Sequence, residues 1–119
     1  MNTDLQSIAQ RFVSFLESGE AAADLFTGDV LCDFSAPRWR LQARGPADVV
    51  ALRRSGHPCP GTVPRWRADP TADGYVLEVE ERWTDAASDW YCREMFRMRL
   101  RGGAIAHMSA YCTDRKSVV

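Results

Sequence analysis

Two glutamates lie on the predicted apolar face of a β-hairpin, where their carboxyl groups could transfer protons. In residues 75–83 and 90–100, apolar and polar side chains alternate with a period of two, which predicts two strands with one buried face each. Glu81 and Glu94 fall among the apolar positions of that pattern. A buried carboxylate is costly unless it is paired, hydrogen-bonded or protonated. Each glutamate is therefore either part of a structural network or a site residue.

The chemistry open to this pair depends on the register of the hairpin. If residues 86–89 form the loop, Glu81 lies directly opposite Glu94 on the inner face. Two facing carboxylates cannot both ionise cheaply, so they would share a proton and act as general base and general acid. Enolisation, aldol cyclisation and epoxide opening all suit such a pair. The structural alternative is that either acid reaches the rim or is capped by a backbone amide or by a side chain of Trp39, Arg40 or Trp83.

The elements that must position these residues follow from hydrophobic periodicity and from helix-breaking residues. Apolar residues at three- and four-residue spacing over 5–16 predict a first helix. Residues 20–26 fit a short second helix, and the third runs over residues 45–56 with Pro46 in its first turn. Strands are predicted at 30–34, 39–43, 63–68, 74–85, 89–101 and 104–112. This order argues for an α+β fold in a single domain spanning residues 1–119.

The last hairpin allows two interpretations, which place different side chains inside. A two-residue turn at Gly102 and Gly103 would point His107 and Tyr111 inward, where they could supply a hydrogen bond or a proton. A three-residue loop with a glycine bulge would instead bury Ala106, Met108, Ala110 and Cys112. The second set is more apolar, so we favour the second interpretation.

Composition and charge exclude several classes of function. With 119 residues and a net charge of −1, the chain offers no global electrostatic case for binding nucleic acid or an anionic membrane. No apolar run approaches the length of a membrane span, and the first residues do not form a secretory signal. We therefore expect a cytoplasmic protein that binds neither nucleic acid nor membranes.

The cysteines give no sign of a metal centre. Those at positions 32, 59, 92 and 112 form no CxxC pair and show no metal-ligand spacing. Three of them lie in apolar strand-like runs, where a free thiol behaves as a small hydrophobic group. His57 and Cys59 could seed a metal site, but the chain has only two histidines. We therefore expect neither a metal nor a cofactor.

Four segments along the chain carry a family resemblance: 16–20 (LESGE), 25–29 (LFTGD), 45–48 (GPAD) and 103–112 (GAIAHMSAYC). With them the chain resembles the nuclear transport factor 2-like superfamily, which includes SnoaL-like polyketide cyclases, ketosteroid isomerases and limonene epoxide hydrolases. The resemblance implies a curved antiparallel sheet wrapped on three helices of the N-terminal half. It implies a cone-shaped, cystatin-like α+β roll with an apolar internal cavity, and a homodimer.

Apolar residues stand where those relatives carry their catalytic groups. Phe12 takes the place of the oxyanion-hole tyrosine of the isomerases, and Phe34 lies near the position of their general-base aspartate. Phe96 lies near their protonated aspartate, and Ala110 replaces the aspartate on the last strand of the epoxide hydrolases. Glu81 and Glu94 therefore remain as the polar residues of the expected cavity.

We expect a small cofactor-independent enzyme that acts on a hydrophobic or polyketide-like small molecule by acid–base chemistry, with Glu81 and Glu94 as its catalytic residues. The alternative is a non-catalytic small-molecule-binding protein or a dimeric accessory protein of the same fold. An enzyme should have a solvent-open pocket that one of the glutamates lines. The predicted substrate-contacting residues are Phe12, Phe34, Trp39, Trp83, Phe96, Met108 and Cys112.

Overall fold

The computed structural model describes residues 3–117 and confirms the α+β architecture. It contains helices α1 (Thr3–Ser18) and α2 (Pro46–Gly56). Its strands are β1 (Phe26–Ala36), β2 (Trp39–Arg44), β3 (Thr62–Pro70), β4 (Gly74–Thr84), β5 (Asp89–Arg101), β6 (Ala104–Cys112) and β7 (Lys116–Ser117).

The strands form one sheet in the order β2-β1-β6-β5-β4-β3, with β7 paired to β5. The β1–β6 pair is parallel and the other pairs are antiparallel, so the sheet is mixed rather than wholly antiparallel as expected. Helix α1 packs against β3 and β4, and α2 packs against β1 and β2. Within residues 3–117 no helix is long and apolar enough to cross a membrane. The buried side chains between the helices and the sheet form one hydrophobic core. Within it, the centroids of the Phe12 and Phe96 rings lie 4.9 Å apart.

The prediction of a second helix over residues 20–26 is wrong, so residues 3–117 contain two helices where three were expected. Helix α1 ends at Ser18, and the positive φ of 77° at the next residue, Gly19, breaks the helical path. The next residues form a turn, in which the Leu25 N–H donates to the Ala22 carbonyl at 3.1 Å. The Leu25 carbonyl then accepts the Ile105 N–H at 2.9 Å, which draws the chain into the sheet. A helix of so few residues has too few internal hydrogen bonds to compete.

The register of the β4–β5 hairpin differs by two residues from the predicted one. Thr84 pairs with Asp89, so the loop is 85–88, and Asp85 stabilises it by accepting the N–H groups of Ala87 and Ser88 at 2.8 and 3.0 Å. Glu94 therefore pairs with Val79 rather than with Glu81. A shift of two residues keeps every side chain on its predicted face.

The last hairpin combines features of the two predicted alternatives. Gly102 and Gly103 form a two-residue turn with φ of 60° and 82°. A bulge follows, because Leu100 pairs with Ile105 and Arg99 pairs with His107, which leaves Ala106 without a partner. Beyond the bulge, each side chain of β6 lies on the opposite face of the sheet from the one it would occupy in a regular strand. Met108 and Ala110 are buried as favoured above, although the loop is shorter than the favoured interpretation required and Ala106 is only half-buried.

Candidate functional site

The inner face of the sheet and the two helices bound a cavity of about 500 Å³. Its walls are mainly apolar and come from both helices and from β1, β2, β4, β5 and β6. Trp39 and Leu41 border the cavity and are 60% and 43% exposed, so its mouth lies beside β2. The lining includes all seven residues predicted to contact a substrate: Phe12, Phe34, Trp39, Trp83, Phe96, Met108 and Cys112.

The two glutamates occupy different places relative to this cavity. Glu94 on β5 lines the cavity, and its side chain is only 2% exposed. Glu81 on β4 is similarly buried, at 5%, but does not line the cavity. The structure therefore brings both acids to the same interior region while leaving only Glu94 in contact with the cavity.

A largely buried arginine on α2, Arg53, joins the two acids, and its side chain is 10% exposed. The Arg53 guanidinium donates to both carboxylate oxygens of Glu81, with Nη1 3.0 Å from Oε2, and also donates to the Leu16 carbonyl at 2.6 Å. The same Nη1 lies 3.7 Å from Oε1 of Glu94, beyond ordinary hydrogen-bond distance. Glu81 therefore receives a bidentate ion pair, whereas Glu94 receives only a longer electrostatic contact.

Arg53 was not predicted from the sequence, although the sequence contains a signal for it. Val49 is buried on α2, and Arg53 follows it by four residues, which places both on one helix face. A charged residue on the apolar face of a helix should have a buried partner. The expected capping residue Arg40 instead pairs with Asp33 near the surface, with Nη2 2.8 Å from Oδ2.

Two thiols border the same region. Cys92 Sγ lies 4.0 Å from Oε1 of Glu94, and its hydrogen bond with Cys112 together with burial raises the pKa of the Cys92 thiol. The pKa of the Cys112 thiol is lowered, chiefly by its hydrogen bond with Cys92. The Asp114 N–H also donates to Cys112 Sγ, at 3.3 Å. Of the two thiols, Cys92 therefore retains its proton to the higher pH.

His57, just beyond the C-terminal end of α2, completes this region of the wall. Its ring packs edge-on against the Trp83 ring, with the centroids 4.8 Å apart. Burial, together with the nearby positive charges of Arg53 and Arg115, lowers the pKa of the imidazole to about 3. The ring is therefore neutral, and a neutral imidazole can ligate a metal. The donor atoms of His57, Glu81, Cys92 and Glu94 all lie within 4.8 Å of one another.

His107 and Tyr111, the two predicted polar candidates of the last strand, do not border the cavity in the part of the chain described. The bulge turns both away from it: His107 is half-buried and pairs with Arg99, and Tyr111 is 59% exposed. The proposed hydrogen-bonding role of these residues toward a substrate therefore has no geometric support.

Comparisons with known proteins show similarity of structure rather than of sequence. No protein-family model matches the chain, and no curated protein does. Among solved structures, an NTF2-like protein from Anabaena variabilis shares 15% identity with a TM-score of 0.75, over 94% of this chain and 92% of that one.

Two further structures are similar over most of their length. A protein from Bacillus subtilis named as a candidate isomerase has a TM-score of 0.72 at 12% identity, covering 95% of this chain and 90% of that one. A phenazine biosynthesis-related protein from Pseudomonas aeruginosa has a TM-score of 0.67 at 10% identity, covering 92% of this chain and 79% of that one. The chain therefore has the nuclear transport factor 2-like fold.

Proposed function

We propose that this chain is a small enzyme that moves a proton on a flat hydrophobic molecule, with Glu94 as its general base. One observation carries the proposal: a nearly fully buried carboxylate lines an otherwise mainly apolar cavity of about 500 Å³. A cavity of this size accepts a small organic ligand, and a few polar groups among apolar walls are typical of a substrate site.

The proposed reaction is an isomerisation through an enolate. Glu94 accepts a proton from a carbon next to a carbonyl group, and the electron pair of the broken C–H bond moves onto the carbonyl oxygen. In a ketone whose enolate is conjugated with a carbon–carbon double bond, the carboxylic acid then returns the proton to the far carbon of that double bond. The carbonyl group re-forms and the double bond moves into conjugation with it, so the substrate is isomerised without change of composition and Glu94 is again a carboxylate. A carboxylate with few hydrogen-bond donors is well suited to accept this proton, because little stabilisation is lost when its charge is neutralised.

Arg53 has two roles in this proposal. It lines the cavity, so its positive charge can stabilise the negative charge that develops on the substrate oxygen. Its bidentate bonds to Glu81 fix the guanidinium in place before the substrate enters. Glu81 is then a positioning residue, which acts on the reaction through Arg53 and not by contact with the substrate.

The similar structures support the same class of reaction. One of them is named as a candidate isomerase and another as a phenazine biosynthesis-related protein. Phenazines are flat aromatic molecules, and aromatic side chains such as Phe12, Phe34 and Trp83 would suit a flat ligand here as well. A polyketide-like ring system is a substrate of the same shape and polarity.

A panel of model ketones can test the proposal before the natural substrate is identified. Cyclic and aromatic ketones are incubated with the protein in heavy water, and the exchange of protons next to the carbonyl is followed by NMR. We expect the wild-type protein to accelerate exchange for at least one ketone. Glu94→Gln should slow that exchange by about 100-fold or more, because it removes the general base.

The control is Glu78→Gln, which alters an exposed glutamate on the opposite face of β4. It should leave the exchange rate unchanged, and circular dichroism should show that all three proteins are folded. Unchanged exchange in Glu94→Gln would refute the role of this residue. Binding of the ketones without any exchange in the wild type would favour the alternative of a non-catalytic binding protein.

A further inference from the structure

The four donor groups beside Arg53 have the composition of a metal centre. They comprise an imidazole, a thiol and two carboxylates, contributed by His57, Cys92, Glu81 and Glu94. We propose that three of them, His57, Cys92 and Glu94, bind Zn²⁺ or a chemically similar divalent ion at the wall of the cavity. Nitrogen, sulfur and carboxylate oxygen are the ligand atoms that Zn²⁺ takes in proteins.

Charge balance favours an ion at this position. Two carboxyl groups share one guanidinium here, and the three side chains are only 2–10% exposed. Buried charges are normally paired or coordinate a metal. A divalent ion that replaces the thiol proton of Cys92 would bring the summed charge of Arg53, both glutamates, the thiolate and the ion to zero, with the proton released to solvent.

The distances between the donor atoms are close to those between the ligand atoms of a bound ion. All four donor atoms lie within 4.8 Å of one another. Zn²⁺ at about 2.0–2.3 Å from each ligand places neighbouring ligand atoms about 3.5 Å apart in a tetrahedron. The required contraction is therefore about 1 Å, and His57 can provide part of it because it lies outside the regular turns of α2.

Glu81 is the donor least free to bind the ion, because Arg53 occupies both of its oxygens. It also lies away from the cavity, whereas the other three residues line it. The edge-on contact with Trp83 holds the His57 ring at this wall. Three protein ligands with the fourth position facing a cavity form an open site of the kind that holds water or a substrate atom.

The ion would also regulate the reaction proposed above. The carboxylate that binds the ion is the one that would accept the substrate proton, so an ion bound to Glu94 should inhibit proton exchange. This inhibition rests on the proposed function, whereas ion binding does not. Direct binding measurements therefore separate failure of one proposal from failure of the other.

The test uses Co²⁺ and Zn²⁺ themselves as probes of the purified, metal-stripped protein. A thiolate bound to Co²⁺ produces a charge-transfer band in the near ultraviolet, and a tetrahedral site produces strong visible bands. We expect both kinds of band with the wild-type protein and their loss on addition of Zn²⁺. Cys92→Ser should abolish the charge-transfer band, and His57→Gln should weaken Zn²⁺ binding by at least about tenfold in calorimetry.

Cys59→Ser is the matched control, because Cys59 is a free cysteine that lies outside the donor cluster. It should leave the spectrum and the affinity unchanged. A charge-transfer band that persists in Cys92→Ser would overturn the proposal, as would the absence of any Zn²⁺ binding to the folded wild type. Thermal unfolding of each variant without metal confirms that a lost band reflects a lost ligand.

Discussion

The Arg53 guanidinium contacts two buried glutamates, but it contacts them unequally. Glu81 receives two hydrogen bonds from it, and Glu94 receives one contact at 3.7 Å. The two acids are similar in burial and share one face of the sheet, but they differ in their contacts with Arg53 and with the cavity. The chemistry open to each glutamate of the sheet therefore depends on Arg53, which belongs to helix α2.

This arrangement predicts strong coupling between Arg53 and Glu81. Arg53→Met leaves both carboxylates in the interior without their cation, so we expect it to lower the free energy of unfolding by about 3–5 kcal/mol. The double variant Arg53→Met, Glu81→Leu removes one of the stranded charges as well, and much of the stability should return. Urea denaturation of both variants and of Glu81→Leu gives the coupling energy.

Losses that simply add in the double variant would contradict this coupling. Arg40→Met is the matched control, because Arg40 forms its ion pair with Asp33 close to solvent. Its effect on the unfolding free energy should be small.

At the residue scale, the sequence predicted the buried glutamates and the aromatic wall but not the cation between them. Alternation with a period of two was enough to place Glu81, Glu94 and Phe96 on one face. Arg53 was missed because a polar residue near the end of a short helix is usually solvated, and four-residue spacing from Val49 is weak evidence on its own. The direct pairing of the two acids was also predicted wrongly, since periodicity defines the face of a side chain but not its partner.

At the element scale, hydrophobic alternation predicts where the strands lie, whereas individual side chains determine where the loops between them begin. The positions of β1 to β6 were predicted to within a few residues because the long strands alternate regularly, whereas the two-residue β7 was not predicted. The β4–β5 loop was displaced because Asp85 begins the turn through its own side chain, which the pattern of apolar residues does not report. The helix predicted over residues 20–26 failed for a similar reason, since a contact with distant Ile105 draws Leu25 into the sheet.

Gly74, at the start of β4, lies where β4 and β5 pack too closely to leave room for a side chain. A methyl group added at Gly74 would lie well inside van der Waals contact of the Met98 carbonyl oxygen on β5. Gly74→Ala should therefore lower the free energy of unfolding by about 2 kcal/mol or more, through displacement of the paired strand. Thermal and urea unfolding measure the loss.

Gly28→Ala is the matched control, because a methyl group there meets no atom within 4 Å and the backbone has no positive φ. It should be neutral or slightly stabilising. Equal effects of the two substitutions would show that β4 and β5 can separate at this point without cost.

At the scale of the whole molecule, the outer face of the sheet carries an exposed apolar pair of side chains. Met95 and Tyr111 are cross-strand partners on that face and are 43% and 59% exposed. Glu78 pairs with Met95 in the sheet, and Arg97 lies two residues beyond it, so both signs of charge flank the apolar pair. A surface with both signs can be complementary to itself across a twofold axis. We propose a homodimer through this face.

Tyr111→Arg should raise the dissociation constant of that dimer by at least about tenfold, because it replaces a central aromatic contact with a charge. Sedimentation equilibrium measures the change. Trp39→Ser is the control, since Trp39 is equally exposed but lies at the mouth of the cavity. A monomeric wild-type protein, or a dimer unaffected by Tyr111→Arg, would refute this interface.

The bulge at Ala106 fixes which side chains of β6 face the interior. If Ala106 paired with Arg99 in a regular ladder, every later residue of β6 would shift by one position and turn to the other face of the sheet. The methionine and alanine of the wall would then be replaced by the histidine, serine and tyrosine of the outer surface. Deletion of Ala106 would not cause this exchange, because His107 would still pair with Arg99 and Met108 with Met98. Chains that differ in length by this one residue can therefore keep the same pocket.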